Sequence, residues 1–381
     1  MKKKPLRIGI VIWTGQFTGR NVLRGVLRYA SEHPDVQVEG ASSPTIAATV
    51  FRQLPPDGII SNYYNPKQRY DVPCVFTVYP DKGPLCVLMD DAKTGALAVR
   101  HFLDRGFRNF AYSGFGGEWW SDARERGFKA AIREMVPTFP GEIPTFTDAR
   151  FKASRWDTFS THRLIAWLRQ LPTPVAIFTS NDSRGREVIT AALMAGLRVP
   201  EEVSVLGVDN DDIECEMATI PLSSIAYPSL EVGYKAAETL VRIIRGEKVS
   251  KAPIYISPST IQTRRSTDIL AVEDDVASTA YRFIREHIAE PIGIEDIAKA
   301  AGVSRRTLQL RYRSVLGRTV HEDLAQTRLN TARKLILETN LPIKEIALRT
   351  GFQNSIYLSK VFRRELDITP ASLRRQPVRT I

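Results

Sequence analysis

The chain has 381 residues, of which 43% are hydrophobic and 25% are charged. This length accommodates two or three domains with large cores, and the composition excludes a disordered or fibrous protein. The net charge of +11 is concentrated at one end, because residues 291–381 hold 17 basic and 8 acidic side chains whereas residues 1–290 hold 36 and 34. A basic C-terminal block on a near-neutral body predicts that the C-terminal part contacts a polyanion.

The sequence shows no sign of export, metal binding or membrane insertion. Its three cysteines, Cys74, Cys86 and Cys215, are spaced neither as a disulfide framework nor as a zinc site, so we expect small core residues in a reducing compartment. The apolar stretch near the N-terminus is interrupted by Arg7 and Gly9, and no apolar run approaches the ~20 residues of a membrane span. We expect a cytoplasmic protein with no cofactor, no metal and no membrane contact.

Residues 5–270 alternate short apolar runs with amphipathic stretches, which is typical of a parallel sheet with crossover helices. In the first such stretch, Val22, Val26, Tyr29 and Ala30 fall on one face of a predicted helix. The pattern predicts a two-lobed, doubly wound α/β domain. The predicted strands are Arg7–Trp13, Gly58–Ser61, Pro73–Val78, Leu85–Met89, Asn109–Gly114, Val175–Thr179 and Val203–Val208.

Polar and aromatic residues follow these strands, where ligands bind in such folds. A small polyhydroxylated ligand needs donors and acceptors for its vicinal hydroxyls and aromatic rings for its C–H faces. For each Asp or Asn taken alone, helix capping remains the more frequent role. The candidate ligand-binding residues are Gln16, Phe17, Arg20, Asp90, Trp119, Trp120, Arg124, Asn181 and Asp209.

The body resembles the LacI/GalR-type sugar-sensing domains in four segments that follow the family's order, namely Val87–Gly95, Arg124–Phe128, Ala176–Asp182 and Val203–Asn210. The resemblance implies two lobes of the periplasmic-binding-protein type that close on an effector. It also implies that Asp90, Arg124, Asn181 and Asp209 occupy ligand-contacting positions. In that family a DNA-binding headpiece precedes the first strand, whereas only six residues do so here. We therefore expect DNA contact to come from another part of the chain.

Residues 271–381 contain an internal repeat. Residues 294–303 align with residues 343–352, and the pattern of Leu308 and Tyr312 recurs at Leu358 and Phe362. Each copy predicts a helix, a glycine-containing turn and a second helix, which together form a helix-turn-helix unit. The two units are predicted at about residues 294–316 and 343–366, with a connecting helix at about residues 320–339.

The second helix of each unit is expected to present polar and basic side chains to the major groove of duplex DNA. The alternative is a solvated basic helix face, but two such faces beside two such turns favour DNA reading. The predicted buried side comprises Leu308, Tyr312 and Val315 in the first unit and Ile356, Leu358, Val361 and Phe362 in the second. The predicted DNA-binding residues are Ser304, Arg305, Arg306, Gln309, Arg313, Gln353, Asn354, Ser355, Tyr357, Lys360, Arg363 and Arg364.

The C-terminal part is similar to the AraC/XylS-type DNA-binding domain at Gly351-Phe352, Phe362-Arg363-Arg364 and Thr369-Pro370, although Asp367 stands where that family usually has Gly. A connecting helix of ~30 Å would hold the two recognition helices about one DNA turn apart. The two resemblances together imply a homodimeric, sugar-responsive transcription regulator, expected to be an activator of xylose (pentose) catabolism genes, that binds double-stranded operator DNA and acts with RNA polymerase. The expected effector is D-xylose, and another pentose, a hexose or a polyol is the alternative.

Two other functional classes are less favoured. A transport-type or cytosolic sugar-binding protein would share the fold of the body but would have no use for the basic tail. An enzyme is disfavoured because the sequence lacks a Gly-rich phosphate loop, its five histidines are scattered, and no Ser or Cys lies in a recognisable nucleophile motif. A phosphorylated effector is disfavoured because Asp90 and Asp209 would repel a phosphate.

Overall fold

A computed structural model describes residues 5–41, 43–64, 70–78, 85–148, 161–258, 260–271, 274–366 and 368–375. The chain divides into two compact units, the first made of Met1–Arg100 and Asn109–Asp268 and the second of His101–Arg108 and Ile269–Ile381. The division near residue 268 lies beside the boundary expected at residue 270. The sequence does not predict that residues 101–108 group with the C-terminal unit.

The first unit contains a four-stranded sheet, which forms the centre of one lobe. This sheet is parallel, has the order β2-β1-β3-β4, and is buried along β1 from Ile8 onwards. A parallel sheet covered on both faces requires continuous apolar runs, and these made β1 recognisable in the sequence. The strands are β1 (Leu6–Val11), β2 (Val36–Ala41), β3 (Gly58–Ser61) and β4 (Cys74–Phe76), with a separate parallel pair of β5 (Val87–Met89) and β11 (Ile254–Ile256).

A six-stranded sheet forms the centre of the other lobe and has the order β12-β10-β9-β8-β6-β7. All its neighbouring strands are parallel except β10 and β12. The strands are β6 (Asn109–Phe115), β7 (Thr145–Asp148), β8 (Val175–Thr179), β9 (Val203–Asp209), β10 (Ser223–Ala226) and β12 (Ile261–Gln262). The doubly wound parallel architecture predicted from the sequence is confirmed.

All seven predicted strands are present, but the described residues contain five further strands that were not recognisable in the sequence, namely β2, β7, β10, β11 and β12. β12 has only two residues, and β10 carries two adjacent serines that are buried. The second of these, Ser224, donates a hydrogen bond to Asp182. Such strands lack the apolar run that the strand prediction depends on.

In the part of this region that the structure describes, eight helices cover the two sheets: α1 (Phe17–Glu32), α2 (Pro44–Gln53), α3 (Asp91–Leu103), α4 (Trp119–Met135), α5 (Thr161–Leu168), α6 (Asp182–Met194), α7 (Asp212–Met217) and α8 (Ser229–Ile244). α1 buries Val22, Val26 and Tyr29 as predicted. It packs against α8 at very short range, because a Cβ on Gly25 would lie 2.0 Å from the carbonyl oxygen of Leu230. Glycine allows the two helix backbones to meet there.

The described residues of the C-terminal part form seven helices: α9 (Asp275–Glu286), α10 (Ile294–Ala300), α11 (Arg305–Leu316), α12 (Val320–Glu338), α13 (Ile343–Arg349), α14 (Ser355–Leu366) and α15 (Pro370–Arg375). α10 with α11 and α13 with α14 form the two helix-turn-helix units. The predicted connecting helix is α12. It contributes Leu324 to the core of the N-terminal helix-turn-helix and Leu329 and Ile336 to the core of the C-terminal one. No helix within the described ranges is long and apolar enough to cross a bilayer.

Candidate functional site

A cavity of about 440 Å³ lies in the first unit, where loops after strands of both sheets meet. The four-stranded lobe contributes Trp13, Gln16 and Phe17 after β1 and Asn62 after β3, while the six-stranded lobe contributes residues after β6, β8 and β9. This is the carboxyl edge at which open parallel sheets bind ligands. Seven of the nine predicted ligand-binding residues line it, namely Gln16, Phe17, Trp119, Trp120, Arg124, Asn181 and Asp209.

Arg124 is the centre of the polar part of the cavity. Its side chain, 5% exposed, lies between two carboxylates: its Nε is 3.3 Å from an oxygen of Asp91 and its Nη2 is 3.4 Å from an oxygen of Asp209. It also donates a hydrogen bond to the backbone carbonyl of Ser180. Its guanidinium carbon lies 5.4 Å from the ring centre of Trp120 and 5.9 Å from that of Tyr227. The guanidinium therefore ties the ends of β5, β8 and β9 to an aromatic wall.

Burial and ion pairing oppose one another in this cluster. Burial lowers the pKa of Arg124, but the charges of Asp209 and Asp91 outweigh burial, so the pKa lies above its ordinary value. Burial raises the pKa of Asp209 to about 6, although the nearby charge of Arg124 lowers it. Burial also raises the pKa of Asp91, again against the effect of Arg124. The charge of Arg124 therefore offsets only part of the cost of burying the carboxyl groups of Asp91 and Asp209.

The backbone at the end of β9 adopts a conformation that side chains rarely allow. Asp209 has a φ of +115° and Asn210 a φ of +53°, both in the left-handed region. The Asn210 amide donates a hydrogen bond to the Ser224 hydroxyl oxygen at 3.0 Å, and Arg264 donates one to the side-chain oxygen of Asn210 at 3.0 Å. Backbone strain of this kind concentrates at functional sites, and the Asp209 carboxylate at this turn pairs with Arg124.

Two predicted residues do not belong to the described wall of the cavity. Asp90 instead accepts a hydrogen bond from the Lys93 amide at 3.0 Å and pairs with the Lys93 ammonium at 3.3 Å, so it caps α3. The neighbouring Asp91 lines the cavity in its place. Arg20 donates to the carbonyls of Thr14 and Gly15 and so shapes the loop after β1. The sequence alone does not distinguish two adjacent carboxylates at the start of a helix.

Several lining residues were not predicted, and Asp182 is the most notable. It is 1% exposed and accepts hydrogen bonds from the Ser224 hydroxyl and, at 2.8 Å, from the Asp211 amide. Burial, and then the charge of Asp209, raises its pKa well above the ordinary range. Asn181 shows that capping and lining are compatible, because its oxygen accepts from the Arg184 amide at 3.0 Å while the residue faces the cavity.

The predicted turns of the helix-turn-helix units are present. Gly302 and Gly351 have φ values of +66° and +70°, which glycine adopts without strain. Ser304 caps α11, because its hydroxyl accepts from the Thr307 amide at 3.2 Å. Asn354 does the same for α14, since its side-chain oxygen accepts from the Tyr357 amide at 2.8 Å.

The predicted DNA-binding side chains lie mainly at the surface of the second unit. Two of the cations are neutralised locally, since Arg305 pairs with Glu295 at 2.8 Å and Arg364 with Glu365 at 2.6 Å. Ser355 is half-buried. The exposed residues of the predicted set are Ser304, Arg305, Arg306, Gln309, Arg313, Gln353, Asn354, Tyr357, Lys360, Arg363 and Arg364.

One residue of the predicted buried side is misplaced. Ile356 is 69% exposed, whereas Leu358, Val361 and Phe362 are buried. α14 begins at Ser355, so Ile356 occupies its first turn and points away from the face that these three residues bury. The prediction for Ile356 is therefore wrong, and an aliphatic side chain stands among the polar residues of the exposed helix surface.

Known proteins match both units. Residues 99–267 match a periplasmic binding protein-like domain, and residues 297–376 match a helix-turn-helix domain. The xylose operon regulatory protein of Haemophilus influenzae is 26% identical over 393 residues, which cover 98% of this chain and 99% of that protein. The regulatory protein SoxS of Salmonella typhimurium is 37% identical over 101 residues, or 26% of this chain and 94% of SoxS. The solved structure of a xylose-binding transcription activator, xylR, matches with a TM-score of 0.60 and 25% identity, over 98% of this chain and 99% of the other.

Proposed function

Because the chain belongs to the AraC-type DNA-binding transcription regulators and carries a periplasmic-binding-protein-like sugar-sensing domain, we propose that its effector is D-xylose and that it activates xylose genes. The observation that carries the proposal is the position of Arg124 between Asp91 and Asp209 in an aromatic-walled cavity. The names of the full-length relatives, which refer to xylose, support the choice of sugar.

The charges in the cavity wall favour a neutral polyol. The described wall contains one guanidinium, that of Arg124, and the carboxyl groups of Asp91, Glu118, Asp182, Asp209, Asp211 and Glu214. Carboxylates accept hydrogen bonds from vicinal hydroxyls, and the guanidinium donates to ring or hydroxyl oxygens. The rings of Trp119 and Trp120 offer faces to the C–H side of a sugar. A phosphorylated sugar would meet an excess of negative charge, so this alternative is disfavoured.

Closure of the two lobes on a bound sugar would couple sugar binding to DNA recognition. Gln16 and Phe17 belong to the lobe of the four-stranded sheet, while Arg124 and Asp209 belong to the other lobe. A sugar that contacts both sets binds the closed arrangement more tightly than the open one, which is the condition for shifting the population. In the proposed mechanism, closure in a cytoplasmic homodimer positions the helix-turn-helix units on two operator half-sites and allows contact with RNA polymerase.

The test measures sugar binding and DNA binding by the full chain. Calorimetry with D-xylose, L-arabinose, D-ribose, D-glucose, xylitol and xylose 5-phosphate should show tightest binding for D-xylose and none for the phosphate. D-xylose should also raise the affinity for operator DNA. Tighter binding of another sugar would replace D-xylose as the effector, and DNA affinity that is the same with every sugar would refute the switch.

A pair of variants on one helix tests the site. Arg124→Ala should abolish the response to sugar and leave basal DNA binding intact, because the predicted DNA-binding side chains belong to the second unit and none of them lines the cavity. Arg126→Ala is the matched control, since Arg126 is exposed on the same helix and is not part of the described wall. Loss of basal DNA binding in Arg124→Ala alone would make Arg124 a structural residue rather than a ligand-binding one.

A further inference from the structure

Each recognition helix exposes one large aliphatic side chain that is not part of the hydrophobic core against which the helix packs. Leu310 on α11 is 63% exposed and Ile356 on α14 is 69% exposed. The hydrophobic faces of these helices are formed by other residues, such as Leu308 and Tyr312 in α11, which are fully buried. An aliphatic side chain exposed to this degree contributes little to either core and leaves its apolar surface free to contact a partner.

The internal repeat relates these two positions to two cations. With the buried Leu308 aligned on Leu358, Arg306 corresponds to Ile356 and Leu310 corresponds to Lys360. Residues four apart in a helix lie on the same face, so each helix presents one cation and one aliphatic residue side by side. Their order is reversed between the two helices, because α11 has the cation first and α14 has the aliphatic residue first.

The charged surroundings of the two aliphatic residues favour duplex DNA as the partner. Arg306 and Lys360 are exposed, and neither makes an ion pair with any carboxylate of the described ranges. The positive charges of these side chains attract the phosphates of a duplex and favour binding with this face of the helix towards the DNA. The apolar group that a duplex offers in that groove is the C5-methyl of thymine.

We propose that Leu310 and Ile356 each contact a thymine methyl group and so contribute to the sequence specificity of the two units. This inference rests on DNA reading by both recognition helices. Four helical residues span about 6 Å, close to two base-pair steps, so each thymine should lie about two base pairs from the position opposite the neighbouring cation. The reversed order predicts that the thymine lies on opposite sides of that position in the two subsites.

The experiment removes the methyl group without altering base pairing. Duplexes are first selected from a random-core library with the full chain in the presence of D-xylose. Each thymine of the selected sequence is then replaced singly by deoxyuridine, and Kd is measured by fluorescence anisotropy. For the wild type, one replacement in each subsite should weaken binding about fourfold, as expected for loss of one buried methyl-sized group.

Variants assign each methyl contact to a side chain. Ile356→Ala should bind thymine and uracil duplexes equally at one of these positions, and Leu310→Ala should do so at the other, while Ile356→Val should retain discrimination. Leu348→Ala is the matched control, because Leu348 is 53% exposed on α13, outside the recognition helices. It should leave every ratio unchanged. Circular dichroism melting checks that the variants fold, and the wild-type thymine-to-uracil series is independent of them.

The outcomes separate this inference from the proposed function. Failure to enrich any sequence would overturn both. An enriched sequence in which no thymine-to-uracil change weakens binding, or in which the loss persists unchanged in both alanine variants, would overturn the methyl contacts alone. Unchanged DNA affinity in Ile356→Ala and Leu310→Ala with reduced transcription by RNA polymerase would also overturn them, and would assign the aliphatic residues to a protein partner.

Discussion

Sugar affinity should depend on pH through Asp209. Burial raises the pKa of this carboxyl to about 6, even with Arg124 only 3.4 Å away. The ionised form accepts hydrogen bonds from sugar hydroxyls with both oxygens, whereas the protonated form loses part of this capacity and its ion pair. A ligand that selects the ionised form therefore binds more weakly as the pH falls through 6.

The size of the effect follows from the fraction of the protein in the ionised form. With a pKa of about 6, about one molecule in eleven has an ionised Asp209 at pH 5, against nearly all molecules at pH 7.5. The Kd for the sugar should accordingly rise about tenfold from pH 7.5 to pH 5, with a limiting slope of about one decade per pH unit below 6.

Calorimetric titrations of the full chain with D-xylose between pH 5 and 8 measure this dependence. Burial and then the charge of Asp209 raise the pKa of Asp182 above its ordinary value, so a variant is needed to assign the effect to one carboxylate. Asp209→Asn should bind more weakly at every pH and show a flat profile. A constant Kd in the wild type, a Kd that falls on acidification, or the same slope in Asp209→Asn would refute the reasoning.

Two further predictions concern the second unit. Gly302→Ala should destabilise the second unit by about 1–2 kcal/mol through its left-handed backbone alone, because nothing lies within 4 Å of the added Cβ. Gly351→Ala should destabilise it by about 2–4 kcal/mol, because its added Cβ would also lie 2.5 Å from the carbonyl oxygen of Ile288. Urea unfolding measures both variants, and equal costs would contradict the packing argument. In DNA binding, Lys360→Ala should reduce the slope of log K against log salt concentration by about one, while Leu348→Ala should leave the slope unchanged. An unaltered slope in Lys360→Ala would mean that this lysine does not contact phosphate.

The fold was largely predictable because its main elements are coded locally. Fully buried parallel strands require apolar runs, and β8 and β3 were located to the residue from these runs. The repeat in the C-terminal part located both helix-turn-helix units, since each needs its own buried stripe and a glycine in its turn. Short edge strands such as β12 were not predicted from the sequence, because their pairing with a neighbouring strand, rather than their own composition, makes them strands.

The candidate site was predictable in its chemistry and less so in its geometry. Residue types after the strands indicated a polyol cavity, and most of them line one. Whether Asp90 or Asp91 faces the cavity depends on which carboxylate caps α3, and this is decided by the path of the chain between β5 and α3. Asp182 was overlooked because its role depends on Ser224 and on the Asp211 amide, which come from other strands and turns.

The sequence by itself determined the class of protein: a basic, repeated helix-turn-helix region joined to a near-neutral α/β body with sugar-binding residue types. These features depend on composition and periodicity, which a linear chain displays directly. Only the tertiary structure decided that Arg124 bridges Asp91 and Asp209, and that Ile356 is exposed rather than buried. Contacts between residues 33 and 85 positions apart, and the rotation of a helix about its axis, depend on how separate elements pack, and no local pattern specifies them.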